Sequence, residues 1–264
     1  MGAWPASIGV IGVGAMGRAL AVGMGRGRPE VAGRLLIADA VPAAVEAAVA
    51  ETAGRPATIA QAAACDLVCV AVKPKDAGDV LGAVAAGGGP GRVVLSVIAG
   101  WDLDRLGAAA PGCPLVRTMP NLAVRHGAGV VAVATRGLDD ERAAAVGELL
   151  APLGAVVGLP EHLFPAATAL AGSGPGLVAL VAEGLEEGAV AAGLGRDQAR
   201  QMVGAVLAGT AALLSDGSDP AALRQRVSSP AGTTIAGVAV LERGAVRAHM
   251  ADAVLAAARR AQEL

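Results

Sequence analysis

Short β-branched runs alternate with Ala-rich stretches through residues 1–160, and the alternation stops after Pro160. The runs at 7–13, 35–38, 67–72, 93–96, 115–118 and 129–134 are apolar at most positions. A strand with apolar side chains pointing both ways is covered on both faces, the situation of a parallel sheet flanked by helices. The stretches 16–26, 42–51, 76–85, 103–109 and 140–150 are predicted as those helices, and 155–159 as a closing strand. Beyond Pro160 only helical signals remain, at 177–192, 197–215, 220–227, 233–243 and 245–263. Asp197, after Gly193 and Gly195, and the run Ser218-Asp219-Pro220 mark two helix starts. The chain therefore divides into an α/β domain at residues 1–160 and an all-α domain at 161–264, the latter within ordinary domain size.

The first apolar strand runs into Gly12-Val13-Gly14-Ala15-Met16-Gly17, which opens a helix. This is the context a dinucleotide fingerprint requires. The first glycine permits a tight turn, the second lets backbone approach a pyrophosphate, and the third lets helix and strand pack closely. Backbone N–H groups of Gly12, Gly14, Ala15, Met16 and Gly17 would hold the phosphates at the helix N-terminus. The α/β half is thus expected to be a Rossmann-like, doubly wound sheet. Asp39 ends the second strand, about 20 positions after the turn, where a carboxylate accepts hydrogen bonds from the adenosine ribose and repels a 2′-phosphate. No Lys or Arg follows until Arg55. NAD(P)H is the expected cofactor, with NADH slightly preferred; the competing role for Asp39 is to cap the helix before Pro42.

Three further strand ends carry Ala71-Val72-Lys73-Pro74, Ser96-Val97-Ile98-Ala99-Gly100 and Arg117-Thr118-Met119-Pro120-Asn121. Ligands of doubly wound sheets sit beyond the carboxyl ends of strands. Ala71, Val72, Lys73, Pro74, Ala99 and Asn121 are therefore expected beside the cofactor.

Composition removes several classes. The 264 residues are 54% hydrophobic and 17% charged with a net charge of −2, so no excess of cations exists to neutralise a nucleic acid. Trp4, Trp101 and Phe164 are the only aromatic residues. Cys65, Cys69 and Cys113 form no metal-ligand spacing and read as packing residues of a reducing, cytoplasmic compartment. No signal peptide is expected, because Gly12–Gly17 interrupts the only apolar N-terminal run. The nearly uncharged stretch 164–182 is broken by Pro165, Gly172, Gly174, Pro175 and Gly176. It is read as a helix buried in an oligomer, not as a span of about 20 continuous apolar residues. His126, His162 and His249 lie in no motif and are expected on surfaces or helices, not as catalytic acids.

The strand-end motifs VAVKP, SVIAG and RTMPN, in this order, resemble those of pyrroline-5-carboxylate reductases. So does Gly172-Ser173-Gly174-Pro175 at the start of a helix. The most specific match is Leu223-Arg224-Gln225-Arg226-Val227-Ser228-Ser229-Pro230-Ala231-Gly232-Thr233-Thr234-Ile235, followed by Leu241-Glu242-Arg243-Gly244. The resemblance covers about residues 8–264. It implies reduction of L-1-pyrroline-5-carboxylate, a cyclic imino acid, to L-proline. It also implies that the helical half is a dimerisation domain, in which two subunits interlock and share the pocket. By the same resemblance Ser229, Gly232, Thr233 and Thr234 hold the substrate, with Thr234 as the catalytic contact to the ring nitrogen. That segment offers hydroxyls and the start of a helix, whose dipole favours a carboxylate.

Four places depart from the family pattern. Leu122 follows Met-Pro-Asn, Ala171 precedes Gly172, Gly176-Leu177 replaces Ala-Tyr, and Ala231 replaces the first glycine of Gly-Gly-Thr. A methyl at position 231 is expected to require a negative φ. The departures keep open a reductase of a related cyclic imino acid such as a six-membered ring. A separate alternative is a catalytically silent nucleotide sensor, against which the intact cofactor and substrate motifs argue.

Overall fold

A computed structural model describes residues 4–87 and 91–263. Eight strands form one sheet in the order β3-β2-β1-β4-β5-β6-β7-β8. They are β1 (Ile8–Ile11), β2 (Leu35–Ala38), β3 (Arg55–Pro56), β4 (Leu67–Val70), β5 (Val93–Ser96), β6 (Leu115–Pro120), β7 (Gly129–Arg136) and β8 (Gly154–Gly158). Between them run α1 (Ala15–Gly25), α2 (Pro29–Ala32), α3 (Pro42–Thr52), α4 (Ile59–Ala63), α5 (Ala77–Ala86), α6 (Leu103–Ala109) and α7 (Asp140–Leu150).

The two-residue period of a strand sorts side chains onto opposite faces. Leu67 and Cys69 of β4, with Val93 and Leu95 of β5, join one apolar cluster with Leu20 and Met24 of α1. Val68, Val70 and Val94 join the other, with Leu81, Leu106 and Phe164. Both faces are therefore covered, and a fully buried Leu or Phe contributes about 1.5–3 kcal/mol. Gly9 of β1 is needed because a Cβ there would stand 2.0 Å from the Ala62 carbonyl oxygen, so α4 packs directly on the strand.

One pairing differs from the all-parallel expectation: β6 and β7 are antiparallel, with Thr118 opposite Val133. Only the short 3-10 turn Leu122–His126 connects them. A parallel crossover needs about a dozen residues or more, usually with a helix, whereas an antiparallel return needs only a turn.

The contacts divide the chain into two compact units. One takes the described residues of Met1–Gly172 and Ala258–Leu264, and the other takes Ser173–Ala257. The expected boundary at residue 160 marks the end of the strands, but the first unit runs on through α8 (Phe164–Ala167) and a π-turn, Thr168–Gly172. The reason lies at Glu161, whose Oε1 accepts from Arg117 of β6 at 2.8 Å and from the Leu103 N–H at 2.7 Å. The Arg117 guanidinium also stacks on the buried Phe164 ring, 4.4 Å from its centre.

The second unit holds α9 (Gly174–Ala191), α10 (Arg196–Ser215), α11 (Pro220–Arg226), α12 (Thr233–Arg243) and most of α13 (Val246–Gln262). Asp219 caps α11 by accepting from Ala221 and Ala222, as Ser218-Asp219-Pro220 predicts. At α10 the cap is Gly195, whose N–H donates to the Gln198 side chain, and Asp197 falls in the first turn. Among its described residues only Ala199 and Leu223 are buried apolar side chains. The apolar run Glu161–Ala191 is long enough to cross a bilayer by length and composition, with mean hydropathy 1.4. It is not one continuous α-helix, because Pro165 and Pro175 open separate helical pieces and Glu183, Glu186 and Glu187 follow on α9.

Candidate functional site

The strand order reverses between β1 and β4, and ligand crevices of such sheets form at this switch point. Hydrogen bonds stitch the strand ends together there. Gly12 N–H donates to Ala38 O at 2.9 Å, Ala71 N–H to Ile11 O at 2.8 Å, and Val97 N–H to Val70 O at 3.2 Å.

Each glycine of the turn has a separate physical reason. Gly12 has φ +90°, and a Cβ on it would lie 2.7 Å from the Ala71 carbonyl carbon and oxygen. A Cβ on Gly17 would lie 1.9 Å from the Gly12 oxygen, so α1 starts directly against the turn. Gly14 is the N-cap of α1 and has nothing within 4 Å of where its Cβ would be. The α1 N-terminus has no side-chain cap and no acidic residue in its first turn. Its leading N–H groups, around the exposed Ala15 and the half-buried Met16, have no intrahelical acceptor. A dinucleotide pyrophosphate fits this arrangement: open space over Gly14 and unpaired donors beside it.

Asp39 spans two elements. Its Oδ2 accepts from Val13 N–H at 2.7 Å, and its Oδ1 accepts from Val41 N–H at 2.9 Å. The carboxylate therefore braces the glycine turn. Val41, not Asp39, occupies the N-cap position of α3.

A cleft of ≈ 550 Å³ gathers Gly12, Gly14, Asp39, Ala71, Val72 and Lys73. It also takes in Val41, Ala44, Ile59, Lys75, Asp76, Asp79 and Val80, which sequence reasoning missed. Ile59 had a readable signal. Thr58-Ile59-Ala60-Gln61 is a capping box, and both of its hydrogen bonds form. Lys75, Asp76 and Asp79 follow β4, so their approach to Asp39 depends on the sheet order. Pro74 opens the 3-10 turn Pro74–Asp76, and its neighbour Lys73 is exposed.

The two other strand ends are placed differently. Ala99 is exposed and lines a smaller cavity of ≈ 60 Å³ with Ile98, Gly100, Thr118 and Met119. Asn121 is buried; its Oδ1 accepts from Ala123 and Val130, and its Nδ2 donates to Ala171 O at 3.1 Å. Most of its hydrogen-bonding capacity is used inside the protein.

In the second unit, Ser229, Gly232, Thr233 and Thr234 lie together at the start of α12. Gly232 is the N-cap and supplies no side chain, so the first N–H groups of α12 lack a side-chain acceptor. Gly232 N–H donates to Ser229 O at 3.0 Å, and a Cβ on Gly232 would meet Ser229 Oγ at 2.2 Å. The expectation of a negative φ at position 231 is overturned: Ala231 has φ +58°. Left-handed backbone costs a residue with a Cβ about 1–2 kcal/mol.

The thiols offer no nucleophile. Burial pushes Cys69 up to about 12, and burial raises Cys65 and Cys113 above their ordinary value. Thiolate, the reactive form, is therefore suppressed at neutral pH. His126, His162 and His249 are all exposed. Among the described residues no group of three or more His, Cys, Asp or Glu side chains could hold a metal ion.

Residues 161–264 match the family described as pyrroline-5-carboxylate reductase dimerisation. Residues 7–100 match the family described as NADP oxidoreductase, coenzyme F420-dependent. The pyrroline-5-carboxylate reductase of Synechocystis sp. is 40% identical over 201 residues, 75% of this chain and 75% of that protein. The pyrroline-5-carboxylate reductase of Thermus thermophilus is 36% identical over 260 residues, 96% of this chain and 97% of that one. Among solved structures, a pyrroline-5-carboxylate reductase from Coxiella burnetii superposes with a TM-score of 0.91 at 26% identity, covering 98% of each chain.

Proposed function

The chain belongs to the pyrroline-5-carboxylate reductase family, and from this we infer that it reduces L-1-pyrroline-5-carboxylate to L-proline with NAD(P)H. The observation that carries the reading is the relation along 96% of the chain to the Thermus enzyme. It takes in both the glycine turn and the Ser229–Thr234 segment. The reduced nicotinamide, when bound, supplies hydride to the imine carbon. The chain's own residues have a positioning task, because a protonated cyclic imine is already electrophilic and needs no strong acid from the protein. Gly14, Ala15, Met16 and Gly17 would hold the pyrophosphate, while Gly12, its N–H committed to Ala38 O, shapes the turn. Ala71, Val72 and Lys73 would line the cofactor's side of the cleft, with Pro74 opening the turn that follows. Ala99 stands at the end of β5, and Asn121 shapes the β6–β7 turn. Ser229, Gly232 and Thr233 hold the substrate carboxylate, and the Thr234 hydroxyl contacts the ring nitrogen.

The experiment that tests this reading follows NADH and NADPH oxidation with pyrroline-5-carboxylate and with its six-membered homologue. Turnover of only the larger ring moves the substrate to a related imino acid. Cofactor binding without turnover of either ring supports the sensor instead. Replacing Thr234 by Ala removes one hydrogen bond to a charged ring and should lower kcat/KM about tenfold to a hundredfold. Unaltered kinetics would take Thr234 out of the site.

NADH is slightly preferred in this reading, because the Asp39 carboxylate lines the cleft at the end of β2 and would repel a 2′-phosphate. Lys73 and Lys75 line the same cleft but share it with Asp76 and Asp79. Asp39→Asn is the better test than removal to Ala, since the charge is gone while the amide oxygen can keep one of the two backbone bonds, from Val13 or from Val41. The NADPH/NADH ratio of kcat/KM should rise about tenfold, equivalent to about 1.4 kcal/mol. An unchanged ratio would mean that Asp39 braces the turn without reading the ribose.

The helical unit acts in a homo-oligomer, at least an interlocked dimer in a cytoplasmic enzyme. The second copy, not a bilayer, covers the apolar surface of α9.

A further inference from the structure

Ser229, Pro230, Ala231 and Gly232 form a β-turn closed by the Gly232 N–H to Ser229 O bond of 3.0 Å. Proline fixes its own φ near −65°, and Ala231 follows at φ +58°. A negative then a positive central φ defines a type II turn, whose third position calls for Gly or Asn. The other described non-glycine residues with positive φ are Ala53 and Ala245. Ala53 is the C-cap of α3, and Ala245 directly follows Gly244, the C-cap of α12. Left-handed residues are ordinary at helix C-termini. Ala231 stands before a helix and has no such role. It is exposed in the single chain.

The closing bond does not by itself select the strained form. A type I turn makes the same bond, accepts Ala at its third position, and differs mainly by a flip of the central peptide, here Pro230–Ala231. Glycine would make the type II form free of penalty, whereas the Ala231 methyl brings the two forms close in energy.

We propose that Ala231 sets the enzyme's affinity for the imino acid by making Ser229–Gly232 a two-state turn, of which the left-handed form admits the substrate carboxylate. The inference rests on the assignment of Ser229–Thr234 as the substrate segment. Carboxylate binding holds the left-handed form. Without it, the methyl shifts population toward the flipped peptide, and apparent affinity is lowered by the fraction lost.

The test compares full-length wild type with Ala231→Gly, Ala231→Asn and Ala231→Val. In the Gly enzyme the KM for the imino acid and the inhibition constant for L-proline should both fall about twofold, the limit for a competent fraction near one half. The KM for the nicotinamide cofactor should hold steady, and kcat should change less than KM. Asn tolerates the left-handed region and should give part of the gain; the β-branched Val should raise both constants. Equal constants in the Ala and Gly enzymes, or weaker binding in the Gly enzyme, overturn the proposal. Absence of turnover by wild type with any cyclic imino acid is a different result and sinks the functional reading instead.

Discussion

Gly12→Ala is expected to leave a folded chain whose affinity for nicotinamide dinucleotides is about a hundredfold lower. The added methyl meets the Ala71 carbonyl at 2.7 Å and Val72 Cγ1 at 2.9 Å, on a backbone with φ +90°. Left-handed strain of about 1–2 kcal/mol and overpacking of about 1–3 kcal/mol are survivable for a domain stable by about 5–15 kcal/mol. Relief requires the turn to move away from the end of β4. That movement would carry the α1 donors off the pyrophosphate, and losing one or two hydrogen bonds to a charged group, about 1.5–3 kcal/mol each, costs about a hundredfold in affinity. Titration of NADH fluorescence measures the affinity, and a thermal melt separates it from unfolding. Gly14→Ala is the companion, because a Cβ there meets nothing within 4 Å. Its protein should melt like wild type while still binding the cofactor more weakly, since the methyl would occupy the ligand's space. Wild-type affinity in both variants would detach the glycine turn from cofactor binding.

The parts of this fold legible in the sequence are those fixed by local chemistry. β2 and β5 have the expected bounds because apolar runs are punctuated on both sides. α6 and α7 start where expected because Asp102 and Asp139 accept from the N–H groups of Arg105 and Arg142. The direction of β7 was not legible from its own residues, which read as a buried strand in either orientation. The information lay in the short connection before it. Likewise Lys75 and Asp79 carry no local signal of a site, since the sheet order brings them to Asp39. Asp39 was legible as a strand-end carboxylate, but its bond to Val13 N–H links positions that only the folded sheet makes neighbours. At Ala231 the cost of a left-handed methyl is legible in the sequence, and the chain adopts φ +58° nonetheless. Strain of about 1–3 kcal/mol can be kept at a functional turn.

Leu180→Asp should convert the protein to monomers and lower turnover more than a hundredfold while leaving cofactor binding intact. Leu180 is 68% exposed on α9, so a charge there loses little packing within its own chain. The surrounding unit cannot account for its composition as a monomer. Val206, Val240 and Leu255 lie on three further helices and are each more than half exposed, whereas Ala199 and Leu223 are its only described buried apolar side chains. Apolar surface on this scale marks an interface, and the family matched at residues 161–264 is a dimerisation domain. A buried, unpaired carboxylate costs several kcal/mol, met twice in a symmetric dimer, which is enough to dissociate it at micromolar concentration. The cofactor cleft lies wholly in the first unit, so NADH titration should still give wild-type affinity. That result would tie the loss of turnover to assembly and not to misfolding. Sedimentation measures the state. A variant that remains oligomeric with full activity would show that α9 is not an interface, and a monomer with full activity would show that one chain completes the substrate pocket alone.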